Sequence, residues 1–270
     1  MRVSFISDLH VDLNRYAPMS VYRYELSLLI EEEASDLLVI GGDISNDVRT
    51  TLSFVEGLEM DLGIPVYFIP GNHDFWEESV KKDTWGIYQI YQQHPQSLVE
   101  SPVQLTDDYS LVGHPAWYNH AIYNKNKYDE NEIEKGKYRF AYWQDKLNLD
   151  WQATDREVSK HFAEIIKKDL EKVQTDNIIL QTHMITIPEF TMPMPHKLFD
   201  FFNAYIATDD LTGIHKEYPI DYQFMGHVHF RAQVKKEGSR FITNSLGYRR
   251  EWRSQSLRQE LKKAIITIEI

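Results

Sequence analysis

Val3-Ser4-Phe5-Ile6-Ser7-Asp8-Leu9-His10 begins as an apolar run and ends on a carboxylate and an imidazole two residues apart. The run reads as a buried strand. A carboxylate and an imidazole placed just past its end can both reach one hard or borderline cation. Alone, Asp-x-His is a weak signal, but the same event recurs along the chain. Gly41-Gly42-Asp43 ends the run Leu37–Ile40, and Gly71-Asn72-His73-Asp74 follows Val66 to Pro70. Thr182-His183 follows Ile178–Gln181, and Gly226-His227-Val228-His229 follows Tyr222–Met225. Each time a strand-like run stops, a metal-capable side chain appears at once.

The first hundred residues read as strand–helix repeats. Val21 to Glu33 carries an amphipathic pattern, and Val48, Leu52, Val55, Leu58 and Leu62 form one helical stripe that Gly63 can stop. Asp8, Asp43 and Asn72 recur at the spacing of βαβ units, which take ~30 residues or more and set successive strands parallel. Ligands of such sheets bind beyond the carboxyl ends of the strands, so the three residues converge at one edge. Further on, Trp76 to His94 reads as helical, and Leu105 and Ser110–Val112 as short strands. Thr154-Asp155-Arg156-Glu157 is a capping box that opens a helix with the stripe Val158, Phe162, Ile165, Asp169 and Val173. A Pro-punctuated loop from Pro188 to Pro195 precedes a helical stretch, Lys197 to Ile206. Tyr222–Met225, Phe230–Val234, Phe241–Thr243 and Ala264–Ile268 are strand-like and are expected to build a second sheet.

A chain of 270 residues with 42% hydrophobic content supports a sizeable core. No apolar run approaches the ~18 residues of a membrane span. The early position of Asp8 and His10 leaves no room for a signal peptide, so a cytoplasmic protein is expected. With no cysteine, any metal must sit on oxygen and nitrogen ligands. A net charge of −12 argues against a surface that tracks nucleic acid, where Lys and Arg cluster.

In their order and spacing these motifs resemble the calcineurin-like metallophosphoesterases. Asp-x-His, Gly-Asp, Gly-Asn-His-Asp, His and Gly-His-x-His are all present between Asp8 and His229. The resemblance implies an α/β fold, a four-layer αββα sandwich of two mixed sheets flanked by helices, in one domain spanning 1–270. It implies two metal ions, Mn, Fe or Zn. Asp8, His10, Asp43 and His229 would hold one, and Asp43, Asn72, His183 and His227 the other, with Asp43 bridging. Two divalent ions offset by Asp8 and Asp43 leave about two units of positive charge to bind a phosphate and ionise a water. His73 would face the substrate as catalytic acid or phosphate ligand. A residue must orient its ring: Asn46 stands where some relatives carry Asp, and Asp47 and Asp74 are the other candidates.

Each of these residues has an ordinary reading too. A strand-end Asp caps turns, and a lone His is usually a hydrogen-bonded structural residue. The set escapes that reading only jointly. His94, His114, His120, His161, His196 and His215 belong to no motif and are set aside. Residues 114 to 153 are rich in Trp and Tyr and far longer than the usual connection of ~4–6 residues, which makes a lid one reading and core packing the other. Lys125, Lys127, Lys135, Lys137 and Arg139 within it could meet further phosphates. The expected activity is hydrolysis of a phosphomonoester or phosphodiester on a small phosphorylated substrate, with nucleotides among the options. A nuclease, or a non-catalytic protein-binding relative, is the alternative.

Overall fold

The computed structural model describes residues 1–77 and 83–270. Its strands in chain order are β1 (Arg2–Ile6), β2 (Leu37–Ile40), β3 (Val66–Phe68), β4 (Val103–Gln104), β5 (Tyr109–His114), β6 (Lys137–Tyr138), β7 (Ala141–Tyr142), β8 (Asn177–Thr182), β9 (Ile220–Met225), β10 (Arg231–Lys236), β11 (Ser239–Asn244) and β12 (Ile266–Glu269). The helices are α1 (Met19–Glu32), α2 (Val48–Leu62), α3 (Thr84–Gln92), α4 (Glu130–Glu134), α5 (Asp145–Asn148), α6 (Asp155–Lys172), α7 (Phe199–Phe202), α8 (Ile214–Glu217) and α9 (Leu257–Ala264).

Two mixed sheets form the body. The first has the order β12-β1-β2-β3, with β1, β2 and β3 parallel and β12 antiparallel to β1. The second has the order β10-β11-β9-β8-β5-β4, parallel from β11 to β5 and antiparallel at both edges. Side chains alternate across a strand, and the sequence uses this on both faces. Val3, Phe5, Leu37 and Val39 meet Leu111, Ile179, Phe224 and Ile242 between the sheets. The Phe5 and Phe224 rings lie flat on each other at 3.7 Å. Ile6, Leu38 and Ile40 turn the other way, into a cluster with Leu26 and Leu29 of α1 and Phe54 and Leu58 of α2. α1 packs on α2 and α9, while α6 covers β5 on the second sheet. The result is the α/β sandwich with helices outside two mixed sheets.

The local signals hold where they are self-contained. Gly63 ends α2 at φ +65°, and Thr154 and Glu157 exchange capping hydrogen bonds at the start of α6. Asp169 is buried on the inner face of α6, where Lys172 meets its carboxylate at 2.7 Å.

Four expectations need correction. The helix expected from Trp76 starts only at Thr84, where Asp83 accepts from the Gly86 N–H; Trp76 and Glu77 are not helical, and 78–82 fall outside the described residues. Lys197–Ile206 forms only the four residues of α7 and a following turn, Asn203–Tyr205, because its Phe residues serve different neighbours. The strand expected at Leu105 lies at Val103–Gln104. The last strand, expected in the second sheet, pairs with β1 in the first, because α9 carries the chain back across α1. α9 itself has a short stripe (Leu257, Leu261, Ala264) among charged residues, too brief to stand out.

Candidate metal centre

Every candidate ligand sits one to a few residues past a strand. Asp8 and His10 follow β1, Asp43 follows β2, Asn72 follows β3, His183 follows β8, and His227 and His229 follow β9. Because β1–β3 are parallel, as are β8 and β9, these strand ends collect at one edge of the sandwich. Four of the seven residues bend sharply there: Asp8, His10, Asp43 and His227 have φ of 56°, 45°, 55° and 66°. Non-glycine residues in this region are strained, and such strain persists where the surroundings fix it. The adjoining glycines admit the close approach. A Cβ on Gly71 would lie 2.2 Å from Asp43 Oδ1, and one on Gly226 would lie 2.8 Å from His183 Nδ1.

The side chains fall into two groups whose potential donor atoms lie within 4.8 Å of one another: Asp8, His10, Asp43 and His229, and Asp43, His183 and His227. Asn72 joins the second, its Oδ1 lying 3.1 Å from His183 Nε2 and 2.9 Å from His227 Nδ1. Asp43 is common to both. In three histidines the nitrogen facing away from the cluster is held. His183 Nδ1 meets the Gly41 carbonyl at 2.9 Å, His227 Nε2 the Tyr205 carbonyl at 3.0 Å, and His229 Nδ1 the Glu251 carboxylate at 2.8 Å. Such partners fix the tautomer and aim the other nitrogen inward.

The donor set fits cations. The Nε2 atoms of His10 and His229 face each other at 3.2 Å, and among the described residues His10 Nδ1 has no hydrogen-bond partner. The carboxylates and burial shift the histidines of the cluster in opposite directions. Burial alone would lower His183, but the Asp43 carboxylate raises it to about 9. Burial would likewise lower His229, yet Asp8 and Glu251 lift it to about 10. Burial and the neighbouring His73 keep His10 well below its ordinary value, and burial with His183 takes His227 to about 4. Burial pushes Asp8 up, and the His229 hydrogen bond with the His183 charge outweighs it, leaving Asp8 at about 2.

His73 Nδ1 faces Asn46 Oδ1 at 2.9 Å, and its Nε2 meets the Tyr248 hydroxyl at 3.1 Å. The other two candidate partners work elsewhere. Asp47 caps α2 through the Thr50 N–H, and Asp74 is buried, accepting from the backbone of Ile44, Ser45 and Gly71 and from the Thr51 hydroxyl.

Three further residues escaped the sequence reading. Asp145 accepts from Asn72 Nδ2 at 2.9 Å, from Trp76 Nε1 at 2.7 Å and from Trp143 Nε1 at 2.9 Å. Tyr248 stacks on His10 at 4.5 Å, and Glu251 backs His229. Tyr248 follows β11 through Gly247, the same strand-end grammar as the ligands, so that pattern could have flagged it. Asp145 and Glu251 sit in no motif.

The cluster opens into a cavity of about 580 Å³, lined on one side by Asp43, Asn72, His73, His227 and His229. Tyr142, Trp143, Gln144 and Asp145 bring the long 114–153 stretch to its wall, while Trp117, Tyr118, Tyr123 and Trp151 of that stretch are buried in the core. Among the described residues, none of Lys125, Lys127, Lys135, Lys137 and Arg139 lines the cavity, and none of the six histidines set aside does.

The chain belongs to the calcineurin-like phosphoesterases, whose family model matches residues 1–231. The family hydrolyses phosphoesters with a dinuclear metal centre, and this chain carries the Asp and His groups for one. No curated protein matches its sequence. Among solved structures, a phosphopantetheinyl hydrolase (PptH) from Mycobacterium tuberculosis is 18% identical, with 98% of this chain and 95% of that one covered and a TM-score of 0.78. A dimetal phosphatase from Danio rerio is 13% identical over 90% of this chain and 86% of that one, with a TM-score of 0.53. The protein TT1561 of Thermus thermophilus is 11% identical over 90% and 88%, with a TM-score of 0.54. At these identities the likeness is one of fold.

Proposed function

We propose that the chain hydrolyses a small phosphorylated substrate at a two-metal centre, Asp8, His10, Asp43 and His229 holding one ion and Asp43, Asn72, His183 and His227 the other. The observation that carries this is the meeting of both donor groups at Asp43, beside a cavity that also receives His73. Bound metal supplies Lewis acidity toward the phosphoryl oxygens and lowers the pKa of a water. The protein's residues do the rest. Asn46 accepts from His73 Nδ1 and so turns Nε2 toward the cavity, where the neutral ring accepts a proton and the imidazolium donates to the departing oxygen or to a phosphate oxygen. An amide fixes this tautomer without adding charge, so orientation is all that Asn46 contributes. Trp76, whose ring lies 3.8 Å from that of His73, holds the imidazole from one side.

No helix among the described residues is long and apolar enough to cross a membrane, and the reading keeps the cytoplasmic setting expected from sequence. A nuclease is disfavoured, because among the described residues Arg250 is the one Lys or Arg at the cavity. The name of the mycobacterial fold relative supplies one phosphoester class to include in a screen.

The test is turnover of p-nitrophenyl phosphate and its bis-ester with manganese, iron or zinc, compared with His73→Ala. The variant should keep its metal and lose about 10²–10⁴-fold in turnover, most for poor leaving groups. Absence of turnover of either ester with any metal would favour the non-catalytic alternative.

A further inference from the structure

We propose that the cavity beside the metal centre binds an extended apolar arm esterified to the phosphate, so that the preferred substrates are phosphoesters of long-chain or otherwise apolar alcohols. This rests on the reading of the site as a phosphoester hydrolase.

Much of the remaining lining is built from Met192, Leu198, Phe199, Phe202, Val228 and Phe230, none of which offers a side-chain hydrogen-bond donor or strong acceptor. It begins at the metal ligands themselves. Along His227-Val228-His229-Phe230 the cavity is lined in turn by a candidate ligand and an apolar side chain, so a phosphate on the histidines has an apolar surface against it. The lining reaches the protein's exterior: Leu198 is 45% and Tyr142 42% exposed. The cavity, at about 580 Å³, lies within the range of sites that enclose a whole organic ligand, and a phosphate fills only a small part of it.

The lining speaks against the other two occupants. Among the described residues a second phosphate would find one cation, Arg250, which already lies 3.9 Å from the Glu251 carboxylate. A nucleobase could stack on Trp143 or Tyr142, but the polar groups beside them are already engaged, Gln144 Nε2 with the Tyr142 carbonyl and Asp145 with Asn72, Trp76 and Trp143, while Phe and Leu side chains offer its polar edge nothing, and burying unpaired polar atoms is unfavourable. An alkyl or aryl arm leaves nothing unpaired.

The experiment uses n-alkylphosphonates, whose phosphonate is not hydrolysed, as competitors of p-nitrophenyl phosphate or its bis-ester on the metal-loaded enzyme. Full burial of a methylene corresponds to about four-fold in binding, so a half-open groove should give about two-fold per carbon and roughly 30-fold from methyl to hexyl. Methylphosphonate, whose single carbon covers the least of the wall, is the internal reference. Leu198→Asp/Phe199→Ser should flatten the dependence on chain length, judged against methylphosphonate binding in the same variant. Calorimetric titration with the same phosphonates reads the slope independently of turnover. Inhibition independent of chain length, or AMP binding more tightly than hexylphosphonate, would overturn the inference. Missing turnover with a normal calorimetric slope would sink the hydrolase reading and leave the apolar subsite standing.

Discussion

The two faces of the cavity are made by opposite means. The ligand face stands on strand ends of two parallel-cored sheets, with Asp8, His10 and His183 at 0% exposure and His227 and His229, which line the cavity, partly exposed. The far wall stands on short pieces: α5, α7, the β6–β7 hairpin and the turns between them. The first is held by backbone strain at four of the candidate ligands, by crowding glycines and by hydrogen bonds behind three of the histidines. The second is shaped mainly by aromatic packing, such as Trp143 lying on Tyr205 at 5.0 Å. Chemistry should therefore fail when the ligand face changes, and selectivity should shift when the wall changes.

The sharpest break is expected at Asp43, the residue common to both groups. Asp43→Asn should lower metal content at both positions and reduce turnover by about 10³-fold or more, whereas His10→Ala should spare the second position. Elemental analysis decides, and full two-metal occupancy in the Asp43 variant would end the bridging assignment.

The ligand face also predicts how metal uptake depends on pH. Imidazole must be neutral to bind metal, and the neighbouring carboxylates raise His183 to about 9 and His229 to about 10. Below pH 9 both carry a proton that the metals displace. Apparent affinity for the pair should then rise by about 100-fold per pH unit between 7 and 9, by about 10-fold per unit from 9 to 10, and level off above. Chelator competition across that range measures the slope. An affinity independent of pH would mean that the two histidines are already neutral or are not ligands.

Asp145 crosses the boundary between the two regions. It lies on the wall, yet it holds a ligand: its carboxylate can only accept, so Asn72 must present Nδ2 to it and Oδ1 to the histidines. Asp145→Asn removes this instruction and lets the Asn72 amide turn over. The expected cost is about 10–100-fold in metal affinity at the Asn72 position, with the first group less affected. Trp76 and Trp143 also donate to Asp145, so thermal unfolding should be followed alongside. A large fall in Tm with unchanged metal affinity would make the residue a packing anchor only.

Legibility in the sequence divides along the same line. The ligand face could be read because a parallel βαβ sheet converts regular spacing into proximity. Asp8, Asp43 and Asn72 each mark a strand end, and topology alone brings them to one edge. The wall could not be read that way. Asp145 meets Asn72 across 73 positions, and Tyr248 meets His73 across 175, through loops whose paths no periodicity describes. The choice of Asn46 over Asp47 and Asp74 was hidden for a related reason: all three lie close to His73, and only the capping of α2 and the buried backbone donors around Asp74 show which is free. The errors in Lys197–Ile206 and the last strand have the same origin, since tertiary neighbours decided both.

The smallest effect is expected at the tip of the β6–β7 hairpin, where the lid and fixed-wall readings of residues 114–153 part company. Removing 120–140 outright would not separate them, because Ile133 is 1% exposed and its carbonyl receives the Tyr205 hydroxyl, so the core itself would open. The tip is a cleaner probe. Phe140 is fully exposed, while the hairpin behind it is tied down by Tyr138, whose ring meets Phe201 at 5.5 Å and whose hydroxyl donates to the Lys197 carbonyl at 3.2 Å. A hairpin fastened along its inner face is expected to behave as a wall. Phe140→Ser should therefore change stability by no more than about 0.5 kcal/mol and leave the ranking of long and short substrates as it was. A lid closing over large substrates would use that exposed ring, and the variant would then lose discrimination among them while still hydrolysing small esters. Ranking a set of alkyl and aryl phosphoesters with both proteins settles which kind of element the hairpin is.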